Sequence, residues 1–174
     1  MKHRIALLLL LCLMLAVAPV LAESYTVTGL YTITVPEGFT LDNRTYFDED
    51  GWLFMLTSDT ALVEAWRDRT PYYDNLTMIN PSPEDMSRFQ SIFEDDFQDM
   101  SPSYVETVTT PDGVTFLIYT LKDTIGSYYN AETAFSGYGI SFNVSYLDNA
   151  TPDNALLLIL KDLLQTLRPT EGGI

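Results

Sequence analysis

Residues 104–121, YVETVTTPDGVTFLIYTL, determine the class of fold. Two runs of β-branched and aromatic residues flank Pro111-Asp112-Gly113, where proline presets one backbone torsion and glycine permits the positive torsion of a tight turn. The second run, residues 114–121, is apolar at nearly every position, which is typical of a central strand covered on both faces. The stretch therefore predicts a β-hairpin whose second strand lies inside a sheet.

Further strands are predicted on both sides of this hairpin. Alternating β-branched and aromatic residues at 25–28 and 31–35 predict either a strand pair or one strand interrupted by a turn. The apolar runs at 52–57 and 76–79 each predict a short strand. Residues 140–146 alternate apolar and polar side chains, as a strand with one buried face does. Strands that follow one another through short turns indicate an antiparallel sheet.

Two amphipathic helices are predicted in addition. Ser82 provides a capping hydroxyl, Pro83 fits the first turn, and acidic residues follow where the helix dipole favours them. The apolar stripe of this helix advances by three and four residues, through Met86, Phe89, Phe93, Phe97 and Met100. The second helix opens at Thr151-Pro152-Asp153 and continues with leucines to the stop at Pro169.

Residues 59–67 are ambiguous between helix and strand. Ala61, Leu62, Ala65 and Trp66 would share one face of a helix, so we favour a short helix, and a strand paired with residues 52–57 is the alternative. In either case the fold class is α+β, with an antiparallel β-sheet covered by two amphipathic helices.

Residues 1–22 predict a cleavable signal peptide. A short basic start precedes a continuous apolar run, and the segment ends in Val20-Leu21-Ala22, a pattern that a signal peptidase reads. An uncleaved membrane anchor is the alternative, because the apolar segment approaches the length that spans a bilayer. Pro19 and the Val-x-Ala ending favour cleavage after Ala22, which predicts a secreted or extracytoplasmic protein.

The remainder of the chain predicts a single globular domain over residues 23–169 and a short tail over residues 170–174. Loss of two basic residues with the leader changes the formal net charge from −15 to −17. Nucleic acid is excluded as a partner because so acidic a chain offers no basic surface for phosphates. An anionic membrane would also repel it, so no membrane contact is expected after signal cleavage.

The only histidine, His3, and the only cysteine, Cys12, both lie in the leader. The mature chain therefore excludes disulfides, thiol nucleophiles, Ser-His-Asp arrangements and zinc sites of the His/Cys kind. No cofactor is expected. Because small secreted animal domains usually depend on disulfides, a cysteine-free exported domain favours a bacterial source.

Residues 31–39, YTITVPEGF, form a predicted strand that ends in a Pro-x-Gly-aromatic turn. This segment resembles the Mog1/PsbP-like fold, especially as it occurs in small exported bacterial proteins. The mid-chain helix, the hairpin at Pro111-Asp112-Gly113 and the last helix, which ends in Leu167-Arg168-Pro169, extend the resemblance over most of the mature chain. The resemblance implies a non-catalytic binding or assembly module, and it carries no catalytic residues across.

Acidic clusters and tyrosines are the candidate functional residues. Asp48 and Asp50, which precede Gly51, resemble a fragment of a calcium-binding loop that lacks the remaining ligands, so we favour a solvated acidic turn. The acidic residues at 94–99 are interpreted as a helix face in water for the same reason. Five tyrosines in turn-like stretches are candidates for a surface that binds protein or glycan: Tyr72, Tyr73, Tyr128, Tyr129 and Tyr138.

The sequence thus predicts an exported, non-catalytic binding or assembly module at the cell surface or outside the cell. A small carboxylate-dependent, glycosidase-like hydrolase is the alternative, because 24 acidic residues will always provide some pair at a suitable separation. Acids with raised pKa values in a deep cleft would favour the enzyme, and a shallow surface with grouped tyrosines would favour binding.

Overall fold

The computed structural model describes residues 23–27, 29–42, 51–69, 71–124, 126–135 and 137–170. The predicted signal peptide, the calcium candidates Asp48 and Asp50, and the last four residues of the predicted tail lie outside these ranges.

Ten strands and two α-helices follow one another along the described chain. The strands are β1 (Ser24–Val27), β2 (Tyr31–Thr34), β3 (Thr40–Asp42), β4 (Trp52–Thr57), β5 (Ala61–Asp68), β6 (Ser103–Thr109), β7 (Thr115–Lys122), β8 (Ser127–Phe135), β9 (Tyr138–Tyr146) and β10 (Arg168–Pro169). Helix α1 (Pro83–Asp96) precedes β6, and helix α2 (Asn154–Gln165) precedes β10. A 3₁₀ turn, Gln98–Met100, follows α1.

The strands form two antiparallel sheets. The large sheet has seven strands in the order β3-β4-β5-β9-β8-β7-β6, and the small sheet has the order β1-β2-β10. All of the pairings are antiparallel, and most join neighbours in sequence, as short hairpins require. The pairing of β5 with β9 joins the amino-terminal and carboxyl-terminal parts of the large sheet.

The two helices lie on opposite faces of the large sheet. Phe116 and Ile118 of β7 point into a core that contains the leucines of α2 and the small sheet. Leu117 and Tyr119 alternate with them and point to the other face, where they pack under α1. Phe93 of α1 stacks on Tyr119 with ring centroids 4.2 Å apart. Strand β7 is therefore covered on both faces, as its continuous apolar sequence predicts.

Local sequence explains both helix starts. Ser82 accepts a hydrogen bond from the Asp85 backbone amide, and the Asp85 side chain accepts one from Ser82 in return, which completes a capping box with Pro83 in the first turn. Asp153 caps α2 by accepting hydrogen bonds from two backbone amides.

The fold class, both helices and the 111–113 turn are confirmed, but three local interpretations are wrong. Residues 61–68 form strand β5, paired with β4 and β9, and not a short helix. Only Ile79 of the segment 76–79 forms a β-bridge, with Val114. Tyr128 and Tyr129 lie inside strand β8, where a turn was expected.

Candidate functional site

One face of the large sheet combines polar side chains with incomplete cover. Two adjacent cross-strand rows run over β5, β9 and β8: Glu64, Asn143 and Asn130 in one, and Trp66, Ser141 and Glu132 in the other. Their neighbours on the same strands point into the main core, so alternation directs both rows to the face on which α1 lies. Helix α1 packs over β7 and part of β8, which leaves the β5 and β9 side of this face open.

A groove of about 680 Å³ lies where that cover ends. The two polar rows, without Glu64, form its floor, and Tyr128 lies beside them. The carboxyl end of α1 supplies Asp96 and Phe97 to one wall, and residues 66–68 of β5 supply the other. Tyr72 and Tyr73, from the turn after β5, close one end.

Tyr73 is held on the floor by a contact that requires glycine. A Cβ atom at Gly139 would lie 2.6 Å from Cε2 of the Tyr73 ring, which is closer than real Cβ contacts allow. The segment that carries Tyr73 is fixed to the sheet, because the Met78 backbone amide donates to the Ala134 carbonyl oxygen at 2.6 Å. Gly139 therefore permits the aromatic end of the groove to sit directly on β9.

The floor contains buried polar atoms with no hydrogen-bond partner among the described residues. Asn130 is 1% exposed and Glu132 is 4% exposed. Asn130 Nδ2 donates to Asn143 Oδ1 at 2.8 Å, but Asn130 Oδ1 and Glu132 Oε2 accept no hydrogen bond, and Trp66 Nε1 donates none. A buried polar atom without a hydrogen bond lowers the stability of a protein, and such atoms are rare. Several of them under one groove therefore indicate a candidate binding site.

Carboxyl groups from three elements influence one another across this groove. The pKa of Glu132 is raised to about 8, chiefly by burial and to a smaller extent by the negative charges of Asp68 and Asp96, while a hydrogen bond from the Asn130 side chain opposes the shift. The pKa of Asp96 is also raised, first by burial and then by Asp68 and Asp95. At neutral pH the Glu132 carboxyl is therefore mostly protonated.

A second depression continues the groove toward the other end of β5. It has a volume of about 440 Å³ and shares Trp66, Tyr128 and Asn143 with the first. Glu64 and Leu147 line it further along. Burial raises the pKa of the Glu64 carboxyl. The open face is thus one elongated, acidic and aromatic surface.

The structure brings three of the five predicted tyrosines together. Tyr72, Tyr73 and Tyr128 line the groove, and the Tyr128 hydroxyl lies 3.5 Å from Met100 Sδ. Tyr129 points to the opposite face and is buried in the main core. Tyr138 begins β9, outside the groove, with the guanidinium carbons of two arginines, Arg67 and Arg69, each 5.6 Å from its ring centroid.

The acidic patch on α1 separates into different roles. Asp96 lines the groove. Glu94 accepts hydrogen bonds from Gln90 and from the Tyr119 hydroxyl, and Asp95 and Asp99 are exposed outside the groove. Within the ranges that the structure describes, no group of three acidic side chains is placed to hold a metal ion.

Three of the floor residues carry no signal in their local sequence: Trp66, Asn130 and Glu132. Asn143 was expected to point away from the core, from the alternation of residues 140–146. Trp66, Asn130 and Glu132 face the groove because of the register in which distant strands pair, and local sequence does not specify that register.

Comparisons with known proteins bear on the fold. No protein-family model matches the chain, and no curated protein matches its sequence. The chain resembles the solution structure of cyanobacterial PsbP (CyanoP) from Synechocystis sp. PCC 6803, with a TM-score of 0.51 and 13% identity over 89% of this chain and 96% of that one. A crystal structure from Bacteroides thetaiotaomicron VPI-5482 has a TM-score of 0.47 and 11% identity. That match covers 88% of this chain and 50% of the Bacteroides chain. Among the described residues, no helix is long and apolar enough to cross a bilayer. The two-sided cover of a large antiparallel sheet and the match to CyanoP together identify this chain as an α+β domain with the PsbP-like fold.

Proposed function

We propose that this protein is an exported, non-catalytic binding module that receives an extended segment of a protein partner along its open sheet face. The observation that carries the proposal is the groove itself, with buried polar atoms in its floor that have no partner among the described residues. A bound segment would supply those missing hydrogen bonds and would cover the aromatic side chains beside them.

The dimensions and composition of the surface support a binding role. The two depressions share residues and have volumes of about 680 and 440 Å³, within the range of ligand sites. Trp66, Tyr72 and Tyr128 supply the large aromatic area that is enriched in binding surfaces. A shallow surface with grouped tyrosines is the arrangement expected of a binding module.

Charge favours a protein segment over a glycan as the occupant. The groove walls carry Asp68 and Asp96 beside one cation, Arg67, and the mature chain has a formal charge of −17. A basic protein segment would be steered toward this surface, whereas neutral sugars gain nothing from the charge and acidic sugars are repelled. The predicted signal peptide supports an extracytoplasmic location for the encounter.

Intrinsic fluorescence tests the proposal, because Trp66 lines the groove and the only other tryptophan, Trp52, lies 4.4 Å from it between ring centroids. The purified protein is titrated with a basic heptapeptide, an acidic heptapeptide and chitohexaose. We expect the basic peptide to change tryptophan emission with saturation. Ser141→Phe, which fills the floor, should abolish this change, and Ser91→Phe on the exposed side of α1 should not.

The outcomes separate the alternatives. No response to any ligand, or equal binding by the Ser141→Phe variant, would contradict the proposed groove. Binding of chitohexaose alone, lost in Ser141→Phe, would replace the protein partner with a glycan.

A carboxylate-dependent hydrolase is the second candidate, and the environment of Glu132 is the observation in its favour. A carboxyl with a pKa of about 8 beside two other acids meets the criterion for an enzyme given by the sequence analysis. Weighing against it, a catalytic pair of carboxyl groups needs pKa values that are pushed apart, whereas the pKa of the neighbouring Asp96 is raised in the same direction as that of Glu132. Hydrolysis of aryl glycosides by the wild type, lost in Glu132→Gln, would overturn the non-catalytic proposal.

A further inference from the structure

One end of the groove gathers carboxyl groups from three separate elements. Asp68 ends β5, Asp96 ends α1, and Glu132 lies in the middle of β8. All three line the same groove, and each of the two aspartates raises the pKa of Glu132. Neither Asp68 nor Asp96 forms an ion pair with any residue in the described part of the chain.

The buried atoms beneath this end require hydrogen-bond donors. Asn130 Oδ1 is an acceptor, and its own amide nitrogen is already engaged with Asn143. Glu132 Oε2 accepts no hydrogen bond either, and when ionised it is an acceptor only. Both side chains are more than nine-tenths buried and line the groove. A ligand that satisfies both atoms while Glu132 is ionised must therefore present several donors.

Aromatic side chains complete the surroundings. Tyr73 lies across Gly139 next to Glu132, and Phe97 and Tyr128 line the same part of the groove. A cation over aromatic faces is attracted by their quadrupoles, and the attraction strengthens where water is excluded. Carboxylates, hydrogen-bond acceptors without partners and aromatic walls are together the features that bind an organic cation.

We infer that the Asp68–Asp96–Glu132 end of the groove is a pocket for one cationic side chain, an arginine or lysine, of the partner segment. The inference rests on the proposed function and specifies the chemistry that the groove selects. Asp68 and Asp96 would contact the cation at the mouth, and Asn130 and Glu132 would accept its hydrogen bonds.

Binding of a cation in this pocket should release the proton of Glu132. This proton release distinguishes the pocket from general attraction to an acidic protein. The charged and titratable groups that face Glu132 are Asp68 on β5, Asp96 on α1 and Tyr73 in the turn, and Arg67 lines the same groove. A cation favours the ionised form of Glu132, whose pKa in the free protein is about 8. Affinity should therefore increase as the pH rises from about 6.5 to 9, by up to roughly 30-fold if only the ionised form binds.

The test uses capped heptapeptides of glycine with one central residue, either arginine or citrulline. Citrulline has nearly the shape of arginine and no charge, and arginine keeps its charge throughout this pH range. We expect the arginine peptide to bind the purified protein at least about tenfold more tightly. Free arginine methyl ester is included as a small cation, and it should bind more weakly than the peptide because it lacks the flanking chain.

Two pairs of variants locate the effect. Asp96→Asn should weaken binding of the arginine peptide severalfold, whereas Asp95→Asn removes the same charge at an exposed neighbour outside the groove and should have little effect. Glu132→Gln should abolish the pH dependence, and Glu37→Gln, in a distant exposed turn, should retain it. Circular dichroism confirms that each variant is folded, and the exposed Asp96 site keeps the test valid even if Glu132→Gln unfolds.

Each outcome decides a specific question. Equal binding of the arginine and citrulline peptides, with loss of both in Ser141→Phe, overturns the cation pocket and leaves the proposed function intact. Equal loss in Asp95→Asn and Asp96→Asn also overturns the pocket. Binding of the methyl ester as tightly as the peptide overturns a protein segment as the source of the cation. Absence of any ligand response in the groove overturns the proposed function itself.

Discussion

Glu132→Gln replaces a buried carboxyl group with an amide of nearly the same shape, and its effect on stability should depend on pH. In the folded protein, burial together with Asp68 and Asp96 favours the protonated carboxyl. In the unfolded chain the same group ionises at its ordinary pKa of 4.5. Between these two pKa values the folded state binds one more proton than the unfolded state, so stability falls as the pH rises.

The size of the effect follows from the two pKa values. The shift from 4.5 to about 8 corresponds to roughly 1.4 kcal/mol per unit, or on the order of 5 kcal/mol in total. The cost is absent below about pH 4, grows through the interval between the two pKa values and is complete above about pH 9. Because glutamine is always neutral, the variant should escape this cost and be more stable than the wild type at high pH.

Urea unfolding followed by tryptophan fluorescence measures this difference at several values between about pH 4 and 9. The free energies of unfolding of the wild type and Glu132→Gln should converge at the acidic end and diverge steadily toward the basic end. Glu37→Gln, at an exposed turn, serves as the control and should follow the wild type. A constant difference between wild type and Glu132→Gln across the whole range would refute the assignment of a protonated Glu132.

Three other measurements test separate features. Gly139→Ala should destabilise the protein by about 1–3 kcal/mol, because its Cβ atom would lie 2.6 Å from the Tyr73 ring, and combination with Tyr73→Ala should recover part of that loss in a double-mutant cycle. Lys161→Met should cost less than about 1 kcal/mol in urea unfolding, since its ion pair with Glu106, at 2.9 Å, is about one-third exposed on both sides; a larger loss would contradict a surface role. Excess chelator should leave the melting temperature unchanged because the sequence contains no complete calcium loop, and a fall of several degrees would establish a bound metal.

The elements that the sequence predicts well are those with strong local signals. The cap at Ser82 and the turn at Gly113, whose φ is +82°, depend on neighbouring residues alone. Residues 59–67 were wrongly predicted as a short helix because the apolar residues at 61, 62, 65 and 66 also fit the spacing of one helix face. Ala61, Val63 and Ala65 are buried in the main core, while the residues between them face the groove side. This alternation with a period of two is typical of a strand.

The candidate site could be predicted only in part, because it depends on pairing between distant segments. Tyr72, Tyr73 and Tyr128 were identified by residue type and do meet in the groove. Glu132 was not identified, since Asn130 and Glu132 within residues 127–135 look like a polar loop until pairing with β7 and β9 buries them. Nothing local to β8 specifies that pairing, so the raised pKa of Glu132 could not be predicted from the local sequence.

The small sheet fixes where the two ends of the domain emerge. Strand β10 pairs with β2, and β1 pairs with the other side of β2, so residues 24 and 169 belong to one three-stranded unit. That unit packs into the core on the face opposite the groove. A tether, fusion partner or affinity tag attached before residue 23 or after residue 170 would therefore leave from the rear of the molecule. Immobilised through either end, the domain would present its open face outward to whatever approaches.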